Sequence, residues 1–211
     1  MTVTEIIKAE SIQKRQKNIL LAQEAAKLKQ SWLLTKVNNL IARFALVESV
    51  DVILDKIIND RLYAASFAKD PGKQRIAEDI QIQELSKSLD IERLSSSGNN
   101  CRYIVDGEIF KGKPSCVSDQ KSVDAIVFSQ ETEWYCTLKY TADTGGGQDN
   151  QKNNVINFIN NAGDHHVACI LDGDYYQQDT RKIKELQQYA SDKVFIGTSN
   201  EFIEKISAGS V

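Results

Sequence analysis

Histidine is almost missing from this 211-residue chain: there are two, the adjacent pair His165-His166. Neighbours on a strand point to opposite faces, so the pair cannot share one metal, which argues against a histidine-based nuclease or a Cys/His hydrolase. Cysteine offers no better ligand set. Cys101, Cys116, Cys136 and Cys169 lie far apart, with neither a C-x-x-C pair nor a histidine at zinc-ligand spacing. Cys136 and Cys169 fall inside apolar runs, where a free thiol serves as a small hydrophobe. Positive charge is not in excess either, since 26 Lys and Arg stand against 29 Asp and Glu, a net charge of −3. A sequence-blind coat for a polyanion is normally basic, so that class is disfavoured, whereas a binder with one local basic face is not. No stretch approaches the ~18 consecutive apolar residues of a membrane span, and the N-terminus lacks a charged-then-apolar leader pattern. The expectation is a cytoplasmic chain with no membrane partner.

What the chain does have is an ordinary globular composition, 41% hydrophobic and 26% charged, in a length that suits one large domain or a core with an appendage. Its first third carries apolar residues at helical spacing. The spacing predicts helices over about 4–29 (Ile6, Ile7, Ile12, Ile19, Leu28), about 32–47 (Leu33, Val37, Leu40, Phe44) and about 50–67 (Val52, Ile53, Ile57, Leu62). Asp70-Pro71-Gly72 is a turn signal and a seam. We therefore expect a helical region over 1–70, serving packing or pairing between two copies, and a sheet-bearing region over 71–211.

Beyond the seam the pattern predicts a helix over about 75–89, strands over 102–110, 122–128 and 134–141, and a helix near 153–161. A buried strand at 167–171, a helix from Thr180, a short strand at 193–196 and a last helix from Asn200 complete the order. Short connections make the first three strands antiparallel, and the later crossovers make the rest parallel. The expected fold class is α/β: a mixed five-stranded sheet flanked by helices, with a helical N-terminal region.

Two charges stand in otherwise apolar strands. Asp124 opens Ser122-Val123-Asp124-Ala125-Ile126-Val127-Phe128, and Lys139 lies in Trp134-Tyr135-Cys136-Thr137-Leu138-Lys139-Tyr140, sharing a strand face with Thr137. In a hairpin the two charges can meet. Either they form a rim salt bridge, or they serve phosphodiester cleavage: a carboxylate for Mg²⁺, and a lysine that positions water and offsets developing negative charge.

This element order, with Ser122-Val123-Asp124 and Thr137-Leu138-Lys139, resembles the PD-(D/E)XK nucleases, in particular type II restriction endonucleases. In that family an acid opens the second core strand and an acid-X-lysine triplet sits on the third. Val167-Ala168-Cys169-Ile170-Leu171-Asp172-Gly173-Asp174 is similar to the apolar strand ending in acid-glycine of several restriction enzymes, and Thr144–Gln151 to their glycine- and amide-rich segment. The resemblance covers residues from about Arg75 to the C-terminus. It implies a restriction-endonuclease-like fold, Mg²⁺ as cofactor, double-stranded DNA as substrate, and a homodimer, with Asp124 as metal ligand and Lys139 as the water-orienting residue.

Thr137 stands where the family has its second acid. Three explanations remain open. In the first, another carboxylate completes the site (Glu78 or Glu84 on the preceding helix, or Glu131, Glu133 or Asp149). In the second, metal binds through Asp124, a backbone carbonyl and the scissile phosphate. In the third the chain is inactive, which leaves a non-catalytic DNA-binding or scaffold protein as the alternative function. For DNA contact the expected segment is Gly145–Gln151: Gly146 and Gly147 let backbone approach a phosphate, and Gln148, Asn150 and Gln151, beside Asp149, can address adenine. Lys111, Lys113 and Lys121 are candidates for backbone phosphates. Lys14, Arg15 and Lys17 form a basic turn in the first helix, which is commonly a solvated face.

Overall fold

In the computed structural model the described residues are 1–69, 72–115, 121–130, 132–141, 148–178 and 180–209. Two units divide the chain: Lys8–Ile76, and Met1–Ile7 together with Ala77–Val211.

The first unit is helical. It holds α1 (Val3–Lys27, from Lys8 onward), α2 (Ser31–Phe44), α3 (Val50–Asn59) and α4 (Arg61–Phe67). The apolar stripes close on one core containing Ile19, Leu33, Val37, Ile53, Ile57 and Phe67. The helix expected to run unbroken over 50–67 is two. Asp60 adopts an extended backbone and its carboxylate accepts from the amides of Leu62 and Tyr63, which caps α4 and ends α3.

The second unit carries α5 (Lys73–Leu85, from Ala77), β1 (Asp90–Arg93), β2 (Arg102–Val105), β3 (Glu108–Lys111), β4 (Ala125–Ser129) and β5 (Thr132–Tyr140). These are followed by α6 (Gln148–Asn160), β6 (His166–Asp172), α7 (Asp174–Gln178), α8 (Thr180–Gln187), β7 (Val194–Gly197) and α9 (Ser199–Ser207). The five-stranded sheet runs β1-β4-β5-β6-β7, antiparallel across β1-β4-β5 and parallel across β5-β6-β7. The protein is therefore α/β with a mixed sheet flanked by helices.

One expected core strand is not in that sheet. Residues 102–110 form a separate hairpin, because Asp106 and Gly107 both take positive φ, 50° and 80°, and turn the chain after four residues. The sheet's first strand is instead β1, with Ile91 facing Val127 of β4.

Alternation along β5 and β6 builds a core on each face. Trp134, Leu138 and Ile170 pack with Leu85 of α5 and Phe202 of α9. On the other face Cys169 and Leu171 pack with Val155 of α6, Tyr175 and Leu186. The β2–β3 hairpin closes the remaining edge of that face through Ile104, against Ile126, Tyr135 and Val167.

Candidate active site

Register puts the two anomalous charges together. Ala125 faces Cys136, so Asp124, one residue earlier, comes opposite Thr137. Its backbone is held at both ends: the Asp124 amide donates to the Cys136 carbonyl at 2.9 Å, and its carbonyl accepts from Leu94 at 3.1 Å. Three donors then converge on Asp124 Oδ2: the Leu138 amide at 2.8 Å, the Thr137 hydroxyl at 3.2 Å and the Lys139 ammonium at 3.2 Å. Lys139 is buried, only 7% exposed, and its Nζ also donates to the Leu138 carbonyl at 2.9 Å. A lysine this deep needs a compensating charge, and Asp124 is within reach to supply it.

Lys139 and Thr137 form the floor of a cleft whose wall is α6, with Asn154 and Asn157 lining it, and whose rim includes Lys121. Ile104 of the hairpin and Phe158 supply its apolar side. The hairpin is tied down over this edge. The amides of Asp106 and Gly107 donate to the Asn161 side-chain oxygen (3.1 Å) and carbonyl (2.9 Å), and the Gly107 carbonyl lies 3.0 Å from His165 Nε2. Gly107 and Gly163 pack so closely that a Cβ on Gly163 would come within 2.6 Å of the Gly107 Cα.

Behind Lys139 lies a polar cluster with no exposed surface to speak of. Gln81 of α5 donates to Asp172 Oδ2 at 2.7 Å and to the Lys139 carbonyl at 3.4 Å, and the Ser199 hydroxyl donates to the same Asp172 oxygen at 2.5 Å. Burial pushes the Asp172 carboxyl above its usual range, only partly countered by the hydrogen bonds from Ser199 and Gln81. The turn after Asp172 is equally tight. Gly173 has φ +112°, a Cβ there would meet the Thr141 carbonyl oxygen at 2.1 Å, and its amide donates to the Thr4 hydroxyl at 3.0 Å.

The remaining candidates are placed as follows. Glu78 is half-buried on α5, one turn before Gln81. Glu84 is spent on Lys87, with both carboxylate oxygens at 2.6 Å, and Glu133 accepts from the Tyr135 hydroxyl at 2.8 Å. Glu131, Gly146 and Gly147 lie outside the described residues, as do the side chains of Gln148 and Asp149. Gln151 accepts from the Thr141 hydroxyl at 2.6 Å, Asn150 is exposed at the start of α6, and Lys111, Lys113 and Lys121 are exposed. Among the described residues no group of three or more His, Cys, Asp or Glu side chains converges on a metal-sized site, and no helix is long and apolar enough to cross a membrane.

Sequence reasoning missed Gln81, Asn154 and Asn157 as parts of this end of the sheet, and read Asp172 only as the acid of an acid-glycine strand end. The visible signal for the first was a lone amide between Ile80 and Ile82 in an apolar stripe. For Asp172 it was an acid closing a wholly apolar strand. Compared with known proteins, the chain matches no family model, no curated protein and no solved structure.

Proposed function

We propose that this protein is a Mg²⁺-dependent, site-specific endonuclease that hydrolyses phosphodiester bonds in double-stranded DNA, built on a restriction-endonuclease-like core and acting as a homodimer. The observation that carries the reading is the Asp124–Lys139 pair: a carboxylate at the mouth of β4 and a buried ammonium 3.2 Å away on β5, with Lys139 at the floor of a cleft. The order α5, three antiparallel strands, α6 and a parallel strand is the order the PD-(D/E)XK resemblance implies, and it supports the same reading.

The donor set fits a magnesium ion held sparingly. Mg²⁺ commonly takes one or two protein carboxylates and fills its octahedron with water and substrate phosphate oxygens. Since the three hydrogen bonds described all fall on Asp124 Oδ2, Oδ1 is the oxygen that would bind it. Such an ion supplies Lewis acidity at the phosphate and a more acidic bound water. Lys139 orients the attacking water and offsets the negative charge that grows on phosphorus-bound oxygen as the new P–O bond forms and the old one breaks. Thr137 holds the carboxylate still.

The test is cleavage of unmethylated plasmid and phage DNA with Mg²⁺ or Mn²⁺. The expected result is discrete fragments, with Lys139→Ala slowed about 10²–10³-fold, the usual cost of removing one charge-stabilising donor, and Asp124→Ala inactive while still folded. Intact DNA at high protein concentration with both metals would sink the nuclease reading. It would favour a non-catalytic DNA-binding or scaffold protein, for which the absent second acid at Thr137 is the specific observation.

A further inference from the structure

All six asparagines between residues 150 and 161 of α6 and its last turn fall on one side of the helix. At about 100° per residue, Asn150, Asn153, Asn154, Asn157, Asn160 and Asn161 lie within an arc of roughly 120°. Asn150, Asn153, Asn157 and Asn160, spaced i, i+3, i+7, i+10, are all exposed. Val155, Phe158 and Ile159 turn the other way, into the sheet. An ordinary solvated helix face is made of Lys, Glu and Gln, which favour helix; asparagine disfavours it, because its amide competes for backbone hydrogen bonds. A side of a helix made of asparagine and no charge therefore costs local helix stability. Asn161 has a structural use, accepting from Asp106 of the hairpin at 3.1 Å. The exposed four do not share that role.

We infer that this face is a recognition surface for adenine edges in the major groove of duplex DNA. The inference rests on the nuclease reading and adds to it the bases read and the residues that read them. Three observations carry it. Asparagine is the side chain whose paired donor and acceptor match adenine N7 and N6 in a bidentate bond. The face borders the candidate site itself, since Asn154 and Asn157 line the cleft floored by Thr137 and Lys139. The described residues lining that cleft include Lys121, Lys139, Thr137 and three asparagines but no carboxylate, so a phosphate backbone can meet cations, a hydroxyl and amides there. The dimensions also agree. From Asn150 to Asn160 the stripe spans about 15 Å at ~1.5 Å per residue, which matches roughly four base steps of ~3.4 Å, and a single helix fits the major groove.

The experiment is selection from a pool of 30-base-pair duplexes with a randomised centre, retained by the full chain in EDTA so that binding is read without cleavage. The expected wild-type pool is enriched in adenine over about four adjacent positions. Asn153→Ala and Asn157→Ala should each relax the preference at one position by roughly 5- to 150-fold, the worth of a bidentate pair. Both should fold at least as well as the parent, alanine being the better helix former. Lys121→Ala should weaken all duplexes alike, keep the adenine pattern and lower the slope of affinity against salt by about one charge. A wild-type pool without adenine enrichment overturns the inference, as does an unchanged pattern in the Asn153→Ala/Asn157→Ala double variant or a failure to retain any duplex. Discrete plasmid fragments beside any of those results would leave the nuclease reading standing and remove the recognition face alone.

Discussion

Thr137 is the residue at which this site departs most from a two-acid metal centre, and its hydroxyl does what a second acid could not do without metal. A carboxylate there would stand against Asp124 in a buried strand face, two like charges with no solvent between them. The hydroxyl instead donates to Asp124 Oδ2 at 3.2 Å and helps fix the rotamer of the carboxylate that pairs with Lys139. Restoring an acid should therefore make the fold depend on metal. Thr137→Asp is expected to melt below the wild type in EDTA and to regain more than the wild type on adding Mn²⁺, because a ligand at 100 times its Kd stabilises the folded state by about 2.7 kcal/mol. Thermal melts of both proteins with and without Mn²⁺ measure this. An equal Mn²⁺ shift in the two would mean that position 137 takes no part in the proposed metal site.

Among elements, the buried Gln81–Asp172–Ser199 cluster joins α5, the end of β6 and the start of α9, and it touches the Lys139 carbonyl on β5. Its carboxyl has a raised pKa through burial, so the folded protein keeps that proton to higher pH than the unfolded chain does. The stabilisation is complete below the ordinary carboxylate range, near pH ~4, and is lost as pH rises through the folded value. Asp172→Asn, neutral at every pH, should flatten that limb, so the variant gains on the wild type as pH rises above ~4. Parallel melting curves across that rise would show that Asp172 is ionised in the fold at no cost. The cluster also shows where reading a sequence stops. Asp124 and Lys139 were legible because each is a charge in a strand of apolar residues, and the spacing of Lys139 from Thr137 fixes their shared face. Gln81 and Asp172 lie 91 positions apart, and only tertiary packing brings them together. The hairpin was legible and overlooked: Asp106-Gly107 is a two-residue turn signal inside what otherwise reads as one strand. β1 was not legible, because Asp90, Glu92 and Arg93 give a four-residue edge strand no apolar alternation; pairing with β4 makes it a strand.

For the whole molecule, the distribution of exposed apolar side chains bears on assembly. Every large hydrophobic side chain left exposed among the described residues, Met1 excepted, belongs to the helical unit: Ile12, Leu20, Leu21, Leu28, Phe44, Val47, Val52 and Leu62. The sheet-bearing unit buries its own. Apolar surface concentrated on one unit costs solubility unless something covers it, and a second copy is the partner that the proposed function calls for, since a two-fold pair of sites matches a two-fold DNA target. Sedimentation velocity at micromolar concentration should accordingly find a species of twice the 23.7 kDa chain mass. Leu20, in the C-terminal half of α1, and Leu28, just past its end, are 58% and 64% exposed and eight residues apart, so replacing both with lysine adds two positive charges to each copy without disturbing the core. Leu20→Lys/Leu28→Lys should sediment as the monomer, with its helical content unchanged and double-strand breaks giving way to nicks, because a lone site cuts one strand. A wild type that sediments at 23.7 kDa under these conditions would reject the dimer, and a double variant that remains dimeric would move the interface off this part of α1.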